Sequence, residues 1–378
     1  MYDPRLDRLA EVLVRYSVGV QKDDLVVLTG GPAAEPALAA ACRAVLKAGG
    51  HPWVRIKSDL CHEVFLKYGQ NFQLAHTSPL EKHMMAACQV YMVFWGEENT
   101  RYLTNVAPAR QALASKARRP ILTMFLKRAA RPPGDPRRVR WVGTQMPTHG
   151  CAQEAEMSLS EYADFVFRGG KLHLRDPVGA WKKVATAQQR LVDVLNKARQ
   201  MRIRVPGGTD IHFGLEGRRW VNCCGHENFP DGEVFTGPIE DATEGTVHFT
   251  YPAVLMGREV ADVRLTFKAG RVVDARAAKG QDFLVQMLDQ DKGARILGEL
   301  ALGCNYDIRR FTRNTLFDEK IGGTFHLAVG SGYPETGSRN ESGLHWDMVC
   351  DLHRGGIVEV DGKVISRNGR FTNAAWPR

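Results

Sequence analysis

The chain has 378 residues, a formal net charge of +9, and 44% hydrophobic against 25% charged residues. That balance is typical of a globular protein, and the length exceeds one ordinary core, so two domains are expected. No apolar run approaches the roughly 20 residues that cross a bilayer. The start, MYDPRLDRLAEVL, is too charged for a secretory signal, so a cytoplasmic location is expected.

In the first half, helical and strand patterns alternate. Leu6, Leu9, Leu13 and Tyr16 recur at helical spacing. DLVVLTGG (24–31) is a short apolar strand ending in glycines, and EPALAAACRAVLKAGG (35–50) is a helix closed by Gly49-Gly50. HPWVRI (51–56), QVYMVFWG (89–96), PILTMFL (120–126) and VRWVGTQMP (139–147) read as strands, and SPLEKHMMAAC (78–88) as a helix. This alternation predicts a mostly parallel sheet flanked by helices. The turn after the first strand, TGGPAAEP, is neither a dinucleotide fingerprint nor a phosphate loop.

KRAARPPGDPRRVR (127–140) concentrates basic charge, but its prolines mark an exposed loop, and no aromatic RNA motif accompanies it. Nucleic acid is therefore not expected as a partner. DPVGAWKKVATAQQRLVDVLNKARQ (176–200) predicts a long helix leading into the second domain. Expected boundaries are 1–196 for the α/β N-terminal domain and 197–378 for an α+β C-terminal domain of mainly antiparallel strands. In the latter, VADVRLTFKAGRVVDARAA turns as a hairpin at Ala269-Gly270, and GGIVEVDGKVISRNG at Asp361-Gly362. QDFLVQMLDQDKGARILGELALG (281–303) reads as one helix. The eight cysteines form neither a CxxC pair nor a disulfide framework, so buried free thiols are expected.

Chemistry concentrates in the second half. On a strand GLHWDMVCDL, His345 and Asp347 share one face and Trp346 and Met348 the other. Two such side chains suit a metal ion, or equally a buried His–Asp hydrogen bond. His326 lies in TFHLAVG, a second strand-like run among glycines. Glu233 follows the turn residues Asp231-Gly232 and heads a short apolar strand. Glu240, Asp241 and Glu244 beside it read as solvent-facing. Glu299, among leucines at the predicted end of the 281–303 helix, is an acid that the helix dipole disfavours and a cation would favour. Mixed oxygen and nitrogen donors suit zinc, cobalt or manganese better than magnesium.

The ordered stretches DGEVFTGP, GTVHFTYPA, GRVVDARA, DKGARILGELALGCN, TLFDEKIGGTFHLAVGSGYPETG and HWDM resemble the thermophilic-type metallo-aminopeptidases, the group of aminopeptidases T and S. The resemblance implies two divalent metal ions held by Glu233, Glu299, His326, His345 and Asp347, with Tyr333 beside them as a catalytic donor. It implies hydrolysis that frees N-terminal residues, a homodimer whose sites face an internal cavity, and short peptides as substrates. Between Tyr333 and His345 lie eleven residues, where some members carry a longer insertion. Glu319 is a candidate general base. The chief alternative is a mononuclear Fe(II) ring-cleaving dioxygenase using His326, His345 and Asp347, in which Glu233 and Glu299 would have no use. A nucleotide-binding module with an inactive site is disfavoured by the missing phosphate loop.

Overall fold

The structure, a computed structural model, describes residues 3–378. It divides into two compact units, one running through Val178 and including Gly225–Phe229, the other comprising Gly179–Cys224 and Pro230–Arg378. The expected boundary at 196 thus falls earlier. The helix Pro177–Leu195 buries Leu191, Val192 and Leu195 in the core of the second unit. Three strands later, the chain returns to the first unit, where Asn228–Phe229 pairs with Arg140–Gln145.

The first unit holds a five-stranded parallel sheet in the order His51–Ile56, Leu25–Gly30, Val90–Trp95, Arg140–Gln145, Asn228–Phe229. Val26, Val27 and Leu28 are fully buried, as a strand covered on both faces requires. Serine caps open some of the helices: Ser58 accepts from the Cys61 amide ahead of Asp59–Tyr68, and Ser78 from the Glu81 amide ahead of Pro79–Ala87. One expected strand is absent, since residues 120–126 lie inside the helix Pro108–Ala129. Ala117 and Ile121 are buried while Leu122 and Leu126 face solvent, a helical spacing that a short apolar run read alone does not reveal. No helix among the described residues is long and apolar enough to cross a membrane.

The second unit packs an eight-stranded sheet, paired antiparallel throughout, against a five-stranded antiparallel one. The smaller sheet runs His345–Asp351, Thr324–Gly330, Leu297–Gly303, Glu233–Thr236, Val221–Cys223. Ile203, Ile211, Phe213, Val247 and Leu265 of the larger sheet share one core with Leu300, Leu302, Phe325, Leu327, Trp346 and Met348 of the smaller. Both predicted hairpins form, Arg264–Lys268 with Arg271–Arg276 and Ile357–Val360 with Lys363–Arg367.

The expected 281–303 helix is corrected: helix ends at Leu288, and Leu297–Gly303 is a strand. Leucine, alanine and glutamate favour helices, but here the segment pairs with a strand on each side and every residue is buried. Tertiary pairing overrides local propensity. The helix-dipole argument for Glu299 therefore falls away.

Candidate metal centre

Register decides which side chains of the smaller sheet meet. Glu233 pairs with Gly303, His326 with Ala301, and Ala328 with both Glu299 and Asp347, while Gly330 pairs with His345. Paired residues project to the same side, so Glu233, Glu299, His326, His345 and Asp347 all rise from one face. The positions between them on that face are Ala301, Gly303, Ala328 and Gly330, so no large side chain separates the donors. The opposite face carries Val234, Leu300, Leu302, Phe325, Leu327, Val329, Trp346 and Met348, all in the core. Burying each large one contributes about 1.5–3 kcal/mol. A one-residue slip of any strand would bury its donor in that core.

Glu299 depends on an irregularity. The register shifts between Leu297 and Glu299, leaving Gly298 as an extra residue on its strand. Glu233 is fixed from three sides. The amide of Gln188, on the helix Pro177–Leu195, donates to the carbonyl of Glu233 at 3.0 Å and to that of Cys223 at 2.9 Å. The Asn305 side chain donates to the Asp231 carbonyl at 2.8 Å. Gly232 between them has φ +123°, and a Cβ there would lie 2.7 Å from that of Asn305.

The donors stand at an even spacing. His326 Nε2 is 3.4 Å from Glu233 Oε2 and 3.3 Å from Glu299 Oε1. His345 Nε2 is 3.4 Å from Glu299 Oε2 and 3.5 Å from Asp347 Oδ1. These gaps are long for charged hydrogen bonds. They match the edge of a tetrahedron of ligands at metal-bond length, about 3.3 Å. Glu233, Glu299 and His326 form one group whose donor atoms all lie within 4.8 Å, and Glu299, His345 and Asp347 another. Glu319 joins His326 and Asp347 in a third, and Cys223 and Asp231 join Glu233 in a fourth.

The surroundings are those of a cation site. Glu233 and Glu299 are 5% exposed and His326 is 0% exposed. Glu233 Oε2 and Asp347 Oδ1 are buried without a hydrogen bond, a state that costs about 1–3 kcal/mol for each such atom. The second nitrogen of His345 meets the Ser331 carbonyl at 2.8 Å, which aims Nε2 at the carboxylates. Burial alone would lower both histidines, but Glu299 and Glu233 raise His326 to about 9, and Asp347 and Glu299 raise His345 to about 12. Burial pushes Asp347 up, and His345 more than offsets this, holding it below the usual carboxylate range. Burial drives Glu319 well above that range. Without an ion, then, protons on the two imidazoles offset part of the carboxylate charge. The donor set fits a divalent metal.

Tyr333, just past the strand Thr324–Gly330, sets its ring edge-on to His345 at 5.3 Å and to Phe235 at 5.1 Å. Every expected site residue is thus brought together. Glu240 is turned elsewhere, pairing with Arg218 and accepting from the Arg339 amide, while Asp241 and Glu244 are exposed. Sequence reasoning missed Lys320, which is fully buried and pairs with Glu233 Oε1 at 3.0 Å and with Glu319. The signal was a lysine in DEKIGG, set between two acids and a run that must be buried. Cys223, half-buried, has Asp231 and Glu233 as neighbours in space.

Residues 2–371 match the family described as thermophilic metalloprotease (M29). Aminopeptidase 2 of Geobacillus stearothermophilus is 26% identical over 99% of this chain and 98% of its own length. The structure of wild-type AmpT from Thermus thermophilus has a TM-score of 0.85, with 24% identity, over 99% of this chain and 100% of that one. The structure of 2,5-dihydroxypyridine dioxygenase from Pseudomonas putida KT2440 has a TM-score of 0.63 at 15% identity over 98% of both chains, a likeness of fold alone. The iron-enzyme alternative has no further support, and it leaves Glu233 and Glu299 unexplained inside the cluster. From its match along nearly the whole sequence, this chain belongs to the thermophilic metalloprotease (M29) family and is a metal-dependent peptidase.

Proposed function

We propose that this chain is an aminopeptidase that frees N-terminal residues from short peptides, using two divalent ions held by five side chains. Glu233, Glu299 and His326 would hold one ion, and Glu299, His345 and Asp347 the other. The observation that carries this reading is the position of Glu299. Its two oxygens face two different imidazoles, at 3.3 and 3.4 Å, as a carboxylate shared by two ions requires. The nitrogen and carboxylate donors favour zinc, cobalt or manganese. Bound ions of this kind supply Lewis acidity, which acidifies water and polarises a peptide carbonyl.

The remaining work falls to the chain. Glu319, which lies within the cluster, is the group we assign to accept the proton of the attacking water; burial raises its pKa, which makes it a stronger base than an exposed carboxylate. Partial burial and the carboxylates of Glu299 and Asp347 push the Tyr333 hydroxyl well above its usual pKa, so it stays protonated and can donate to an oxyanion. Ala301 and Ala328 keep large side chains away from the donors, where a peptide end and its amino group would have to approach.

A homodimer is part of this reading. The helix Asp59–Tyr68 exposes Leu60 (75%), Val64, Phe65 and Tyr68 (78%), and the edge strand His51–Ile56 before it exposes Trp53 and Ile56. An apolar helix face beside an unpaired strand edge is a surface that a second copy would cover. Sedimentation of the wild type and of Leu60→Asp/Phe65→Asp tests it: a monomeric wild type refutes the dimer.

The function is tested with short peptides and purified protein. Release of the first residue is expected, abolished by chelation and restored by cobalt, zinc or manganese, with two ions per chain by elemental analysis. Activity surviving thorough chelation, or cleavage only at internal bonds, refutes it.

A further inference from the structure

Lys320 is a buried cation that the reaction outlined above does not use. Lysine is almost never fully buried unless paired, and Lys320 has 0% exposure. Its ammonium lies 3.0 Å from Glu233 Oε1 and is ion-paired with Glu319 Oε2. The main chain holds it rigidly: its amide donates to the Phe317 carbonyl at 3.0 Å, and its carbonyl accepts from the Asn305 amide at 3.0 Å. Asn305 also holds the Asp231 carbonyl, next to Glu233. One short loop therefore fixes both the lysine and the backbone of its partner.

The pairing distinguishes the two oxygens of Glu233. Oε1 is taken by Lys320, while Oε2 is buried without a hydrogen bond and faces His326. Glu319 is treated alike, with Oε2 on the lysine and the carboxylate grouped with His326 and Asp347. We infer that Lys320 is a positioning residue that clamps one oxygen of Glu233 and one of Glu319, presenting the other oxygen of each to the metal centre. This rests on the two-ion reading above. An ammonium so near also repels a divalent ion, so its removal has two opposed effects. The orienting effect should win. Without the lysine, two buried carboxylates lose their ammonium partner, and uncompensated buried charge either takes up a proton or moves.

The test compares the wild type with Lys320→Met, of similar length and uncharged, and with Glu233→Gln/Lys320→Met, which removes both charges of one pair. Metal content is read by elemental analysis and by competition with a chromophoric chelator, and kcat and KM with a short peptide. Lys320→Met is expected to keep one ion at wild-type affinity and to bind the other at least tenfold more weakly. Its kcat should fall at least tenfold with KM within threefold. Because Lys320 reaches the metal through Glu233, the double variant should bind metal no worse than Glu233→Gln alone, whatever it loses in turnover through Glu319. Two ions at wild-type or tighter affinity in Lys320→Met would overturn the inference, as would additive losses of metal affinity in the double variant. If Lys320→Met fails to fold, the comparison of the double variant with Glu233→Gln decides alone. A wild type that binds fewer than two ions defeats the two-ion reading instead, so the two failures are separable.

Discussion

Leu297 and Glu299 are two residues apart on one strand, yet their side chains lie on opposite faces of the sheet. Leu297 belongs to the core, and Glu299 meets His326 and His345. The extra residue at Gly298 is what separates them. A Cβ there would lie 2.5 Å from the carbonyl oxygens of Gly330 and Ser331. Gly298→Ala should therefore destabilise by about 1–3 kcal/mol, as overpacking does. It should also lower metal content, because relief of the clash must move the bulge that aims Glu299. Thermal melts and elemental analysis check this. A variant with lowered stability and full metal content would show that the bulge does not aim the carboxylate.

Glu299 also separates from Glu233 in consequence. Glu299 belongs to both donor groups, whereas Glu233 belongs to only one of these two. Glu299→Gln should weaken both ions and abolish peptide cleavage, while Glu233→Gln should leave one ion per chain in place. Metal titration of the two variants side by side gives the answer. Equal stoichiometry in both would argue against a shared carboxylate.

How much of this was legible in sequence follows from period and burial. The alternation in HWDM placed His345 and Asp347 on one face correctly because a strand has period two whatever its neighbours. The same reasoning failed for Glu299. ILGELALG has helical propensity, and only its pairing with Thr324–Gly330 and Glu233–Thr236 makes it a strand. Glu299 does lie among the donors, but on a strand rather than at the end of a helix. Lys320 was invisible for a related cause: a lysine reads as solvated until the chain around it is known to be buried. The error at 120–126 ran the other way, since Pro120 and the apolar run after it read as a strand but continue a helix. Ala301 and Ala328 gained meaning only from register, which shows that they face the donors rather than the core.

Ala328 gives a direct test of whether the face between the donors must stay small. Ala328 pairs with Glu299 on one side and with Asp347 on the other. Ala328→Leu would project a larger side chain between the donors, away from the packed core. Cleavage should fall at least about tenfold, with metal content reduced, while the melting temperature changes less than for Gly298→Ala, because the core is untouched. Retained activity would mean that the space beside Ala328 is not used.

Tyr333 meets His345 and Phe235 through its ring, and burial together with the nearby carboxylates keeps its hydroxyl protonated. Tyr333→Phe keeps both ring contacts and removes only the donor. If the hydroxyl stabilises developing charge, kcat should fall by about 100- to 1000-fold, the cost of losing one such donor. KM and metal content should change little. An effect confined to KM would place Tyr333 in substrate binding.

The histidines set a pH signature for the metal-free protein. Burial alone would lower each, but their carboxylate neighbours raise His326 from 6.5 to about 9 and His345 from 6.5 to about 12. A folded-state pKa above the unfolded value means that the folded chain holds its proton longer. The associated stability is complete below pH 6.5, and the His326 share is lost as pH rises through about 9, with the His345 share persisting toward about 12. Asp347, held below its ordinary 3.8, contributes the other way: its share is present above 3.8 and lost as pH falls below it. A divalent ion needs neutral imidazoles, so loading displaces these protons and binding tightens as pH rises. Chelator-treated protein should therefore melt progressively lower between pH 6.5 and 9, and the gap in Tm between metal-loaded and metal-free protein should widen over the same range. Calorimetry at several pH values with and without saturating metal measures both, and a gap that narrows with rising pH would mean that these imidazoles are not the groups the metal binds.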